Sequence, residues 1–198
     1  RAVESISSPA IRNMATLGGN LCLDTRCTYY NQNEEWRESI DFCMKEGGTV
    51  CWVAPQSDRC WAISSSDAAP MLCALGASVR LMSARGAREL LLADLYREDG
   101  IDYLTKQPDE VLTEIVIPAP GELESSFWKL RRRGSIDFPV LSVAAAVLRD
   151  SEGKVEEAHV WLGAVASAPV RSDAAAQVLI GEALTPDVVA RAAQATRK

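Results

Sequence analysis

Cys27, Cys43, Cys51 and Cys60 follow one another at intervals of 16, 8 and 9 residues. Four thiolates are the ligand set of a 4Fe-4S cluster or of a structural zinc site. The intervals are wider than the paired-cysteine knuckles of zinc ribbons and match no ferredoxin run. Spacing therefore leaves three readings open: an iron–sulfur cluster, zinc, and unligated thiols. Just upstream stands Thr16-Leu17-Gly18-Gly19-Asn20, and just downstream Ser66-Asp67. Glycine takes positive φ freely and lets backbone N–H groups approach a phosphate, so Gly18-Gly19 is a candidate nucleotide contact as well as an ordinary turn. Metal ligands beside a candidate phosphate loop point to electron transfer.

The elements that must position these residues are uneven in clarity. Residues 6–20 read as a connector ending in the glycine loop. Residues 21–63 show little periodicity, yet they carry Tyr29, Tyr30, Trp36, Trp52 and Trp61. So long an unpatterned stretch is uncommon in a compact domain unless something else orders it, and four metal-bound cysteines would do so. Within it, residues 34–44 predict a short helix with Trp36, Ile40 and Cys43 on one face. Asp67 is a good N-cap for a helix over 68–75 that Gly76 stops. Strands are expected over 78–83, 89–92 and 111–117, and Pro118 closes the last. The Pro-Gly stretch at 118–121 marks a subdomain boundary. Strands over 126–132, 141–148 and 155–165 follow, then helices over 172–180 and 186–196, the second with Thr185 as N-cap and Pro186 in its first position. The order is that of a strand-heavy α+β chain.

Composition narrows the class. Of 198 residues, 47% are hydrophobic, enough for a core without disulfide staples, and the formal net charge of −6 argues against a general nucleic-acid surface. No apolar run has the length of a membrane span and no secretory leader opens the chain, which reads as soluble and cytoplasmic. Arg1 rather than Met comes first, inside what reads as a motif, so the sequence is expected to be part of a longer chain. Cys22 and Cys73 sit in apolar settings expected of buried free thiols. The single His159 rules out a histidine-rich metal site and lies in a strand-like alternation, where it is expected to face solvent.

Ser8-Pro9-Ala10-Ile11-Arg12-Asn13-Met14-Ala15-Thr16-Leu17-Gly18-Gly19-Asn20-Leu21, followed by Ser64-Ser65-Ser66-Asp67-Ala68-Ala69-Pro70, resembles the FAD-binding subunit of the molybdenum hydroxylases, the xanthine dehydrogenase and carbon monoxide dehydrogenase family. Residues 110–118 and the run Phe127-Trp128-Lys129-Leu130-Arg131-Arg132-Arg133-Gly134-Ser135-Ile136-Asp137-Phe138-Pro139 resemble the same subunit as it enters its C-terminal domain. The resemblance implies the C-terminal part of a PCMH-type FAD-binding domain over 1–120. A flavoprotein C-terminal domain of the CO dehydrogenase type, a small antiparallel sheet with helices, would occupy 121–198. It also implies that the family's first glycine-rich FAD loop lies N-terminal to Arg1, so that half of the FAD site is outside this sequence.

By the same resemblance Thr16, Gly18, Gly19 and Asn20 form the second FAD loop, and Asp67 hydrogen-bonds the cofactor while capping its helix. Ile6 packs against FAD or the core, Leu112 lies beside the isoalloxazine ring, and the Lys129 ammonium lies near it. Arg131 and Arg133 would share its face, with a solvated basic face as the plain alternative. In most of the family only a few residues separate the glycine loop from the Ser/Asp segment. A four-cysteine insertion at about 21–63 marks the 4-hydroxybenzoyl-CoA reductase branch, whose flavin subunit holds an additional 4Fe-4S cluster; its ligands here would be Cys27, Cys43, Cys51 and Cys60. Arg26, Lys45 and Arg59 would tune that cluster. The implied function is electron relay from a donor, ferredoxin, through 4Fe-4S, FAD and a 2Fe-2S small subunit to a molybdopterin-binding large subunit. The alternatives are an ordinary molybdenum hydroxylase flavin subunit with a structural insertion, and a zinc-stapled interaction module.

Overall fold

Antiparallel pairing organises both halves of the protein in the computed structural model, which describes residues 1–119, 121–134 and 136–196. Strand β1 (Ser78–Ser83) alternates cleanly, placing Val79 and Leu81 fully inside. It forms a hairpin with β2 (Gly86–Leu91), in register from Ser78 opposite Leu91 to Ser83 opposite Gly86, and its other edge takes β3 (Val111–Val116). The second sheet has the order β4 (Glu124–Leu130), β5 (Leu141–Arg149), β6 (Val155–Gly163), β7 (Val170–Arg171). Asp150 shapes the β5–β6 turn by accepting from the amides of Glu152 and Lys154. The two-residue strand β7 has no sequence period to announce it.

Between the sheets lies α4 (Ala69–Ala74), packed on β5 and β6. Its small side chains let it come close: a Cβ on Gly163 would stand 2.6 Å from Pro70 Cγ and 2.3 Å from Ser142 Oγ. Ala69, Leu72, Val79, Leu81, Leu92 and Leu95 join Phe127, Ala144, Ala146 and Trp161 in one apolar core, so the core runs across the Pro-Gly stretch at 118–121. On the other face of the second sheet, α5 (Asp173–Leu179) and α6 (Pro186–Ala195) cover Val147, Val155, Ala158 and Val160. Their N-caps are Ser172 and Thr185, whose hydroxyls accept from Ala175 and Val188.

Three expectations are corrected. The connector at 6–20 contains two short helices, α1 (Pro9–Met14) capped by Ser8 and α2 (Leu17–Leu21) capped by Thr16; neither is long enough to show a period. In the insertion, α3 (Glu34–Ser39) stops before Cys43, because Asp41 and Phe42 both take positive φ and turn the chain out of the helix. The helix after Asp67 is not capped by Asp67. Ser66 Oγ accepts from Ala69 N at 3.1 Å instead, leaving the Asp67 carboxylate for another partner.

A bidentate pair between Arg88 on β2 and Glu110, with the Gln107 amide added, ties the first sheet to the turn before β3. The Arg88 guanidinium, and after it that amide, holds the Glu110 carboxyl down to about 2. A lowered folded-state pKa gives stability that is present above the ordinary value and lost as pH falls through the folded one. Glu110→Gln is therefore expected to lower the thermal midpoint at neutral pH, and the gap to the parent to close between pH 4.5 and about 2. A gap that stays constant across that window in a pH series of melting curves would contradict the assignment.

Candidate functional site

A cavity of about 420 Å³ opens where α1, α2, the Ser65–Asp67 segment and the loop after β4 meet. Its wall is largely apolar, with Val3, Ile6, Ile11, Leu17 and Phe138, and its polar members include Arg12, Thr16, Asn20, Ser65 and Asp67. Ser7 at the rim has φ +45°, an uncommon conformation for a residue with a side chain, and Arg12 Nη1 donates to the Ile6 carbonyl at 2.6 Å to hold the bend. Gly18 and Gly19 lie in α2 with helical backbone rather than in a positive-φ loop. Close approach is what favours a small residue here. A Cβ on Gly18 would meet Leu112 Cδ2 at 3.3 Å, and one on Gly19 would meet Thr16 Oγ1 at 3.1 Å. The amides at the start of α2 have no intrahelical acceptor, and Thr16 Oγ1 satisfies that of Gly19. Buried Asn20 links α2 to the next segment, its Oδ1 accepting from Ser66 Oγ at 2.8 Å and Ala68 N at 3.3 Å.

Asp67 and Lys129 form an ion pair at 2.7 Å with side chains only 7% and 3% exposed. Lys129 also donates to the Ser5 carbonyl at 3.0 Å, so its ammonium lies behind the cavity wall and reaches the cavity through Asp67. Burial pushes the Asp67 carboxyl up, and Lys129 and then Arg131 oppose the shift. Asp67 Oδ1 and Ser65 Oγ are buried without a hydrogen-bond partner among the described residues, and both residues line the cavity. A ligand with donors at that wall would satisfy them. Of the residues expected to bind FAD, Ile6, Thr16, Gly19, Asn20 and Asp67 line this cavity; Gly18, Leu112 and Lys129 stand directly behind it.

A second, small cavity is walled by Cys27, Cys43, Cys51 and Cys60 together with Tyr29, Tyr30, Lys45 and Trp52. Cys22 and Cys73 lie outside it, and burial pushes the Cys73 thiol up to about 12. None of the six cysteines forms a disulfide. Three of the four open a turn of the same kind, with the carbonyls of Cys27, Cys43 and Cys51 accepting from the amide three residues on. Cys60 is set differently: its carbonyl accepts from Gly100 N at 2.8 Å, and its sulfur accepts from Ala62 N at 3.4 Å. Sulfurs around one zinc would stand about 3.8 Å apart, from a Zn–S distance of about 2.3 Å. Among the described residues no group of three or more His, Cys, Asp or Glu side chains, the four cysteines included, is placed to hold a metal ion.

Family models decide the lineage. The model described as FAD binding domain in molybdopterin dehydrogenase matches residues 1–120, and the one described as CO dehydrogenase flavoprotein C-terminal domain matches 125–198. The chain belongs to the FAD-binding family of the molybdopterin dehydrogenases. This family member is 31% identical over 184 residues to the aldehyde oxidoreductase FAD-binding subunit PaoB of Escherichia coli (strain K12), covering 88% of this chain and 56% of the relative. It is 25% identical to the nicotinate dehydrogenase FAD-subunit of Eubacterium barkeri, covering 96% and 52%. The chain thus spans about half the length of the curated relatives it matches. Quinoline 2-oxidoreductase from Pseudomonas putida 86 shares the fold with a TM-score of 0.72 at 21% identity, over 100% of this chain and 54% of that one. No helix among the described residues is long and apolar enough to cross a membrane.

The contacts that anchor the cysteine segment of this family member did not show themselves in the sequence. Lys45 was visible as a charge near the four cysteines; its partners were not. Its Nζ, in a side chain 7% exposed, donates to Asp24 Oδ1, Thr25 Oγ1 at 2.6 Å and the Gly100 carbonyl at 2.9 Å, beneath the Tyr30 ring. Arg59 grips Glu98 through both its backbone carbonyl and its carboxylate. The 98–103 turn is thus the insertion's anchor, and Gly100 is its tightest point: a Cβ there would stand 2.7 Å from Cys60 Sγ and from Ala62 N. Gly100→Ala is expected to displace Cys60 and lower stability by about 1–3 kcal/mol, as overpacking does. An unchanged melting temperature and unchanged metal content would show that the turn can yield without disturbing the cavity.

Proposed function

We propose that this chain is the flavin- and iron–sulfur-bearing electron-transfer subunit of a molybdenum-containing oxidoreductase, with substrate chemistry on a molybdopterin-binding partner and a 2Fe-2S subunit between. FAD supplies two-electron and one-electron steps and an iron–sulfur cluster one-electron steps, which makes the pair a relay. Family membership supports the flavin. The observation that carries the iron–sulfur part is that the four cysteines of the insertion, and neither of the other two, wall one cavity.

This chain's own residues set the surroundings of both groups. Val3, Ile6, Ile11 and Leu17 would exclude water from a flat ring system, while Ser65 and Asp67 offer it oxygen atoms that have no other partner. The Asp67–Lys129 pair fixes the orientation of that carboxylate. Lys45 and Arg59 lock the insertion to the 98–103 turn, and the Lys45 ammonium stands at the cavity of the four thiols, where positive charge raises a cluster's potential.

The direction of electron flow follows the partner. A 4-hydroxybenzoyl-CoA reductase would draw electrons inward from ferredoxin, a reading that rests on the insertion alone. The relatives named for oxidation of an aldehyde and of nicotinate support the outward direction, with an aldehyde or heteroaromatic compound oxidised on the large subunit. The complete subunit, purified without oxygen, is expected to be brown-yellow and to bleach with dithionite at both flavin and iron–sulfur wavelengths. A yellow protein with flavin bleaching only would contradict the iron–sulfur part, and a colourless one the whole reading.

A further inference from the structure

The cysteine insertion leaves the rest of the chain through a narrow neck. Arg26 and Ile63 close it with two reciprocal backbone hydrogen bonds of 2.8 Å each, and Cys27 is the first residue beyond. The Arg26 side chain does not enter the cysteine cavity. Its guanidinium carbon stands 3.7 Å from the centre of the Phe138 ring. Phe138 belongs to the loop after β4, and that loop is tied to itself by Asp137. The Asp137 carboxylate accepts from the amides of Arg132 and Arg133 at 3.1 Å each and from that of Phe138 at 3.0 Å.

Phe138 is a wall with two sides. One side faces the flavin cavity beside Ile136 and Asp137; the other faces a cleft lined by Arg26, Cys27 and Asn31. Phe138 is 48% exposed, and the Arg26 guanidinium lies over its ring as a contact that helps set its position. We propose that Arg26 is a positioning residue: it holds the Phe138 ring as a wall of the flavin cavity, and so couples order in the cysteine insertion to flavin binding. This deepens the function proposed above and rests on its flavin reading. Coupling of this kind is reciprocal, so whatever loosens the neck weakens the flavin site and FAD firms the neck. The strength of one partly exposed cation–π contact corresponds to roughly a three- to tenfold effect on affinity.

A double-mutant cycle on the full-length subunit tests this, with the FAD dissociation constant measured by flavin fluorescence in the parent, Arg26→Gln, Phe138→Leu and the double variant. Arg26→Gln is expected to weaken FAD about three- to tenfold at unchanged iron content, and the double variant to bind no worse than Phe138→Leu alone. Should Arg26→Gln also lose iron, Arg26→Lys takes its place with a smaller loss of about two- to threefold expected, since a lysine keeps a cation at the neck but not the flat stacked face. In the parent, FAD should slow protease cleavage within residues 28–60, and in the arginine variant it should not. Parent-like FAD affinity in the arginine variant, or effects that multiply in the double variant, would overturn the coupling while a weakened Phe138→Leu leaves the flavin reading standing. A Phe138→Leu that binds FAD as tightly as the parent would overturn the placement of the flavin and the coupling with it.

Discussion

Cys43→Ala is expected to strip the metal from the insertion and open residues 28–60 to protease, while Cys73→Ala does neither. The segment has little of its own to keep it folded. Its regular structure is one short helix, α3, and a single 3-10 turn over Met44–Glu46. Trp36, Trp52 and Trp61 are all more than a third exposed, so its largest side chains contribute only part of their area to burial. What remains are the neck, the ties to the 98–103 turn, and the four thiols around one cavity. Where metal binding supplies folding free energy, removing one ligand removes most of it. Cleavage within the segment should rise at least about tenfold, a loss of about 1.4 kcal/mol of protection. Equal iron content and equal cleavage in Cys43→Ala and parent would show that this cysteine is not a ligand.

Lys129→Met is expected to be the most destabilising single change at the cavity proposed for the flavin, by about 3–5 kcal/mol at neutral pH, because it leaves a buried carboxylate without its partner. The effect should depend on pH in a definite sense. Burial already raises the Asp67 carboxyl above its ordinary value with Lys129 in place. A group raised on folding contributes stability that is present below the unfolded pKa and lost as pH rises through the folded one. Without Lys129 that folded value moves further up. The deficit of the variant should therefore be smallest in the acid range and grow toward neutrality, as read from melting temperatures at several pH values. A deficit that shrinks toward neutral pH would contradict the pairing. Asp67→Ala removes the unpartnered acceptor itself and should weaken FAD binding about ten- to a hundredfold, the worth of one charged hydrogen bond.

Strands were legible in the sequence because half-buried antiparallel strands alternate. Val79 and Leu81 point inward from β1, β5 alternates over most of its length, and β6 does so only around His159. Helices α5 and α6 announced themselves through Ser172, Thr185 and Pro186. Helices α1 and α2, six and five residues long, are too short to show a helical period, which is why they read as connector and Gly18-Gly19 as a loop. Asp67 misled as a cap because Ser66, one residue earlier, could do the same work and frees Asp67 for Lys129. The candidate ligands were legible by residue type. Their anchor was not, since Gly100 and Lys45 stand 55 residues apart, and no local pattern foretells that Arg26 stacks on Phe138.

The most direct test of the account is iron and acid-labile sulfide analysis of the complete subunit, purified without oxygen, together with its FAD content. The account predicts about four iron and four sulfide per chain alongside one FAD, all of the iron lost when Cys27, Cys43, Cys51 or Cys60 is replaced and none when Cys22 or Cys73 is. Zinc in place of iron, or a chain that binds FAD with no metal at all, would contradict it.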